Sequence, residues 1–204
     1  MTDLRGIPRK SGRGNDKRAR LVAAARKMIH ENGVEQTTFA RVAAASDVPV
    51  GNIYYYFKSK DELISAVLDA YNDDYAMVTT ILAGHRTPKA RLKALIRTLT
   101  SARERIAQHG CPIGSLCSEL DKRDDDLTKK GAAVFERLIT IAQEQFDQLG
   151  RRDARDLAIS LIASYEGAAL LANTLRDPDI LSTEARRLER WIDSMSKERS
   201  TRVI

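Results

Sequence analysis

Apolar residues along this chain of 204 residues recur at the spacing of a helix face, and no convincing stretch alternates as a half-buried strand does. That pattern predicts an all-α protein. Leu21, Val22, Ala25, Met28 and Ile29 make the first stripe, which Asn32-Gly33 ends. Thr37 or Thr38 can cap a short second helix with Phe39, Val42 and Ala43, ending around Ser46-Asp47. A third short helix follows Pro49, with Ile53 and Phe57 facing inward. Leu63, Ile64, Val67, Leu68, Tyr71, Tyr75, Val78, Ile81 and Leu82 then hold helical spacing as far as Gly84. The next helix starts at Pro88 and carries Leu92, Leu95, Ile96, Leu99, Ala102 and Ile106. After Gly110 and Pro112, a short segment from Ile113 to Leu120 leads into the acidic run Asp124 to Asp126. A long helix through Phe135, Leu138, Ile141, Ala142, Phe146 and Leu149 stops at Gly150. The stretch from Leu157 to Leu175 is apolar on most sides, as in a buried helix or one shared between subunits. Asp177-Pro178 breaks it, and Leu188, Trp191, Ile192 and Met195 stripe a last helix. About nine helices result: an N-terminal three-helix unit at residues 16–60, behind a flexible basic arm at 1–15, and a helical bundle at 61–204.

Charge divides the chain the same way. The net charge is +6, yet residues 1–60 hold 12 Lys/Arg against five Asp/Glu, so the whole excess lies in the first third. A basic segment beside a near-neutral remainder suits a polyanion, and a membrane surface would serve as well as nucleic acid at this level. A membrane span is not expected, because the longest apolar or small-residue run, Gly167 to Ala172, is far short of roughly 20 residues. The polar, basic N-terminus lacks the apolar core of a secretory signal, so the protein is expected in the cytoplasm. His30, His85 and His109 show no ligand spacing, and no metal site or cofactor is expected. No nucleophile motif or phosphate loop appears either, which argues against an enzyme.

The most informative segment is Thr37 to Lys60, TTFARVAAASDVPVGNIYYYFKSK. Two short helices joined by a tight turn and packed on a preceding helix make a helix-turn-helix unit, whose second helix enters the DNA major groove. Ala43 is small where the helices cross, and Val48, Ile53 and Phe57 fill the core. Three of the six tyrosines are consecutive. Tyr54, Tyr55 and Tyr56 cannot all be buried on one short helix, so one or two hydroxyls face solvent or a partner, where phosphate oxygens are suitable acceptors. The competing reading has them only packing the helix against its neighbours.

At these residues the sequence resembles the TetR family of bacterial transcriptional regulators. The resemblance rests on Thr38-Phe39-Ala40, on Gly51-Asn52-Ile53-Tyr54-Tyr55-Tyr56-Phe57 and on Lys58-Ser59-Lys60-Asp61-Glu62-Leu63, and covers residues 16 to about 65. Asp47 stands where a turn glycine is usual and Pro49 where a serine is usual. Asp tolerates positive φ and Pro suits a helix start, so neither breaks the motif, but a serine contact to DNA does not carry over. The resemblance implies phosphate contacts from Thr38, Tyr54, Tyr56 and Lys60, with Gly51 allowing close backbone approach. It leaves base reading to Val50, Asn52 and Tyr55, and either role to Arg41.

The resemblance further implies that the C-terminal two thirds bind an effector and dimerise, the last two helices of each subunit building a four-helix interface. On that basis Ala168, Ala172, Leu188, Trp191, Ile192 and Met195 are interface candidates, though an internal core explains them equally. Glu166 is the only formal charge between Leu157 and Leu175, with Tyr165 beside it and Asn173 nearly on its face. These three are candidates either for an effector pocket or for a structural hydrogen-bond network. Cys111 and Cys117 lie in GCPIGSLCSEL, similar to a segment of several regulators of this family, some electrophile-sensing. A thiol at Cys111, just before Pro112, would have its thiolate favoured by the helix dipole; the alternative is a buried structural cysteine. A disulfide between the two is not expected, since six helical residues span about 9 Å. The acidic run lacks the glycine and terminal glutamate of a calcium loop and reads as a helix cap. The sequence thus predicts a homodimeric repressor bound to double-stranded DNA at an inverted-repeat operator and released by a small-molecule effector, with no membrane partner. Thiol switching at Cys111 is the alternative.

Overall fold

A computed structural model describes residues 11–123 and 125–195, and among them every regular element is a helix. The described residues divide into two compact units at Val67/Leu68. The division falls inside a helix, beyond the boundary at residue 60 expected from the sequence.

In the first unit, α1 (Ser11–Gln36) is interrupted at Gly33, whose φ of 81° ends the regular helix where Asn32-Gly33 was expected to. The buried Thr37 hydroxyl donates to the Gly33 carbonyl at 2.8 Å and closes the turn. The helix begins at Ser11, so residues 11–15, expected as part of a flexible arm, have helical backbone. Gly12 and Gly14 each cost about 1 kcal/mol of propensity, but extending an existing helix needs no new nucleus. Residues 1–10 of the expected arm lie outside the described residues. Thr38 caps α2 (Phe39–Ala45), its hydroxyl oxygen accepting from the Arg41 backbone N–H at 3.3 Å. Asp47 takes the positive-φ position of the turn, at 52°, and Pro49 caps α3 (Val50–Tyr56). Leu21, Ala25, Val42, Val48, Ile53 and Phe57 are buried as the core of this unit. The helix α4 (Lys60–Ala83) starts in the first unit and continues into the second.

The second unit holds α5 (Pro88–Thr100), α6 (Arg103–His109), α7 (Pro112–Leu120), α8 (Asp126–Gln148), α9 (Ala154–Leu175) and α10 (Asp179–Ser194). The single helix expected from Pro88 through Ile106 is two. Thr98 and Thr100 hydroxyls donate to the carbonyls four residues back, and the Ser101 hydroxyl and N–H both take the Thr98 carbonyl. A run of Ser and Thr thereby competes for the carbonyls that would continue the helix. Asp125 caps α8, its carboxylate accepting from the N–H groups of Leu127 (2.9 Å) and Thr128 (3.2 Å), the role expected of the acidic run.

The central helix of this unit is α9, which packs against α6, α8 and α10. Among the described residues it is the one helix long and apolar enough to cross a membrane, a possibility the run-length argument did not raise. Packing accounts for one side of it, where Ala158, Leu161, Ile162, Tyr165, Ala169 and Ala172 are buried within the unit. α10 also packs on α5, and Arg97–Glu189 (2.8 and 3.1 Å) and Lys93–Asp193 (2.8 Å) join the two helices.

Candidate nucleic-acid interface and a buried polar cluster

The short core of the first unit leaves one side of α2 and α3 uncovered. Val50, Gly51, Tyr54 and Tyr55 are exposed, Tyr55 at 78%, while Asn52 and Tyr56 are half-buried. Tyr54 stands edge-on to Phe39 at 5.3 Å between ring centroids, and Tyr55 edge-on to Tyr56 at 5.0 Å. These ring contacts hold the tyrosines in place without burying Tyr54 or Tyr55. A Cβ built on Gly51 would meet nothing within 4 Å, so no contact inside the chain requires glycine there. Thr38 and Arg41 are exposed on α2. Arg41 donates through Nη1 to the Gln36 carbonyl at 2.7 Å, and Lys60 through Nζ to the Glu35 carbonyl at 3.2 Å. Each keeps further donors. Lys58, exposed beside α3 and donating to the Tyr54 carbonyl at 2.8 Å, was not singled out from the sequence. All nine residues named for DNA contact thus lie on or beside the helix-turn-helix, at exposed or half-buried positions.

In the second unit, Cys111 is the N-cap of α7 and meets α9. Its thiol donates to Glu166 Oε1 at 3.1 Å, and its sulfur accepts from the Gly114 N–H at 3.4 Å and the Tyr165 hydroxyl at 3.7 Å. Burial first, then the Glu166 carboxylate, push the Cys111 thiol up to about 12, opposite to the lowering expected from the helix dipole. A desolvated sulfur beside a carboxylate resists ionising more than a helix N-terminus favours it. Burial likewise raises Glu166, opposed by the Cys111 hydrogen bond, and raises Tyr165. Cys117, half-buried, is pushed up to about 11 by burial, Asp121 and Glu166. The native protein at pH 7 should therefore react with N-ethylmaleimide far more slowly than a free thiol does, and diamide should leave its DNA complex intact; prompt release by either reagent would contradict this.

Asn173 spends its amide on the Ala107 carbonyl at 3.2 Å, at the end of α6, where Arg176 also donates to the carbonyls of Ala107 and Gln108. It therefore fastens α9 to α6 instead of joining Tyr165 and Glu166. Tyr75 on α4, read from the sequence only as part of an apolar stripe, is buried and couples electrostatically to Cys111 and Glu166.

Four of the six interface candidates occupy the chain's own interior. Ala168, Ala172, Leu188 and Ile192 are buried between α9, α10 and their neighbours, and Trp191 and Met195 are half-buried, with Trp191 tilted on Phe146 at 5.9 Å. The uncovered apolar stripe is the opposite side of α9: Ile159, Ala163, Gly167, Leu170, Leu171 and Leu175 are all exposed, Leu170 at 66% and Leu175 at 63%. Their helical spacing was visible, but in a helix apolar all round it could not be told from the buried stripe. Gly167, like Gly51, has nothing within 4 Å of a built Cβ.

A helix-turn-helix with an uncovered second helix, followed by a separate all-helical unit, defines a DNA-binding regulator. Residues 21–67 match the family described as "Bacterial regulatory proteins, tetR family", and residues 88–187 match "Transcriptional regulator LmrA/YxaF-like, C-terminal domain". The chain belongs to the TetR family of transcriptional regulators. It is similar to the transcriptional regulator AcuR of Cereibacter sphaeroides, 28% identical with 95% of this chain and 93% of that one covered. The transcriptional repressor DhaR of Mycobacterium sp. strain GP1 is 30% identical, with 75% and 80% covered. A TetR transcriptional regulator from Chloroflexus aurantiacus matches with a TM-score of 0.76 at 28% identity, covering 90% of this chain and 97% of that one.

Proposed function

We propose that this regulator is a cytoplasmic repressor that grips an inverted-repeat operator as a homodimer and lets go when a small molecule enters its C-terminal unit. The observation that carries the DNA half is the uncovered face of α3, where exposed tyrosines follow, one turn on, a glycine that no contact inside the chain requires. Thr38, Tyr54, Tyr56 and Lys60 hold phosphates, Gly51 lets a phosphate approach the backbone, and Val50, Asn52 and Tyr55 read base edges, with Arg41 serving either purpose. The exposed stripe on α9 supports self-association, since a symmetric dimer brings the same apolar patch together from both copies. Two recognition helices then address half-sites about one helical turn, roughly 34 Å, apart.

The effector half rests on the polar cluster of Tyr165, Glu166 and Cys111, with Tyr75 added to it and Asn173 acting from the α6 contact. Tyr75 lies on α4, which also carries residues of the DNA-binding unit, so a ligand touching it acts on a helix common to both units. Such a ligand shifts the dimer only by binding one arrangement better than another.

Selection of bound sites from random duplex, followed by gel shifts with the selected and a scrambled duplex, tests the proposal. Tyr54→Phe and Lys60→Ala should weaken all sequences alike, with Lys60→Ala lowering the salt slope by about one. Asn52→Ala should instead relax preference at one base pair by about 1–3 kcal/mol. Equal binding of selected and scrambled duplexes would leave only a nonspecific basic protein.

A further inference from the structure

Glu166 is the one formal charge of its cluster, and no cation among the described residues answers it. Its only hydrogen bond among the described residues comes from the Cys111 thiol on Oε1, and it forms no ion pair with any of them. Oε2 lies over Gly114, where an added Cβ would stand 2.5 Å away, so glycine is what gives the carboxylate room. The N-terminus of α7 does not satisfy it either: Pro112 has no N–H, and the Gly114 N–H is spent on the Cys111 sulfur. A second group is left open nearby. Tyr75 is only 9% exposed, its hydroxyl has no hydrogen-bond partner among the described residues, and Cys111 and Glu166 are its main electrostatic neighbours.

We infer that this cluster binds an organic monocation, an amine carried on an apolar body, with the ammonium on Glu166 and the body beside Tyr75 and Tyr165. This rests on the effector-controlled reading and names the effector's class. An anion would face the carboxylate directly, and a neutral apolar compound would cover the second carboxylate oxygen without giving it a donor. A cation supplies both charge and donor, and tyrosine rings add attraction at their faces.

Calorimetric titration of the full chain with benzylamine, benzyl alcohol and benzoate, which share one ring, isolates the charge. Benzylamine should bind about tenfold or more tighter than benzyl alcohol, with benzoate weakest, as expected for a charge-assisted bond in a half-buried site. Glu166→Gln, nearly isosteric, should remove that advantage while leaving benzyl alcohol unchanged. Absence of benzylamine binding, equal or tighter binding of the alcohol or benzoate, or an amine advantage that survives Glu166→Gln would each overturn the inference. The comparison of the three compounds on the wild-type chain decides the charge preference even where Glu166→Gln fails to fold. A gel shift with the selected duplex separates the two proposals. A chain that binds its duplex and is released by a neutral or anionic compound keeps the repressor reading and loses this one, whereas a chain without a preferred duplex loses the repressor reading.

Discussion

Leu170→Asp should give a folded monomer whose operator affinity falls by about 10²–10⁴-fold, the advantage that linking two binding modules confers. Leu170 is 66% exposed on the isolated chain, so an aspartate there removes little of the chain's own packing. In a symmetric dimer the same substitution appears twice and sets carboxylates into a stripe of Ile159, Gly167, Leu171 and Leu175, where each leucine buried contributes about 1.5–3 kcal/mol. Ala168→Arg, the choice the sequence alone would suggest, acts differently. Ala168 is buried, so an arginine there should disrupt the fold of the C-terminal unit and with it any reading of the interface. Sedimentation of Leu170→Asp, set beside its gel shift on the selected duplex, makes the check. A variant that stays dimeric would show that α9 is not the dimer face, and a monomer that binds the duplex as tightly as wild type would show that tight operator binding does not need the dimer.

The helix ends were legible because their causes are local. Gly33, Asp47 and Gly150 have positive φ, and Pro88 and Pro112 sit in the first turns of their helices, each within reach of signals a few residues long. The break between α5 and α6 was equally local, written in Thr98, Thr100 and Ser101, but the apolar stripe through Ile106 masked it. The inner face of α9 depends on how α6, α8 and α10 dock on it, which no signal within α9 itself records, so an all-apolar helix carries two equivalent stripes until its neighbours are placed. The same holds for Cys111. Proximity to a helix start predicts a lowered thiol, whereas its contact with Glu166, 55 residues on, reverses the sign. The exposed face of α2 and α3 was more legible, since its residues come from one contiguous segment whose short helices can bury only one side.

Phe57→Ala should destabilise the DNA-binding unit by about 3–5 kcal/mol, the cost of emptying an aromatic site in a packed core. Phe57 is among the largest fully buried side chains, and the Arg18 guanidinium lies over its ring at 5.2 Å. Few large side chains share the work in this unit, chiefly Leu21, Ile53, Leu63 and Ile64, so little packing is available to close the void. Whole domains are stable by only about 5–15 kcal/mol, so the loss takes a large part of the total. Tyr55→Ala supplies the contrast. At 78% exposure it should alter stability by no more than about 0.5 kcal/mol while weakening specific DNA binding. Thermal melting by circular dichroism and hydrogen exchange over α1 to α3 separate the two variants. An unchanged melt and unchanged exchange in Phe57→Ala would mean that the ring does not hold the helices together, and the exposed face of α3 would then need another source of rigidity. Loss of DNA binding in both variants, with loss of protection over α1 to α3 in Phe57→Ala alone, would assign to Phe57 the positioning of the recognition helix and to Tyr55 the contact it makes.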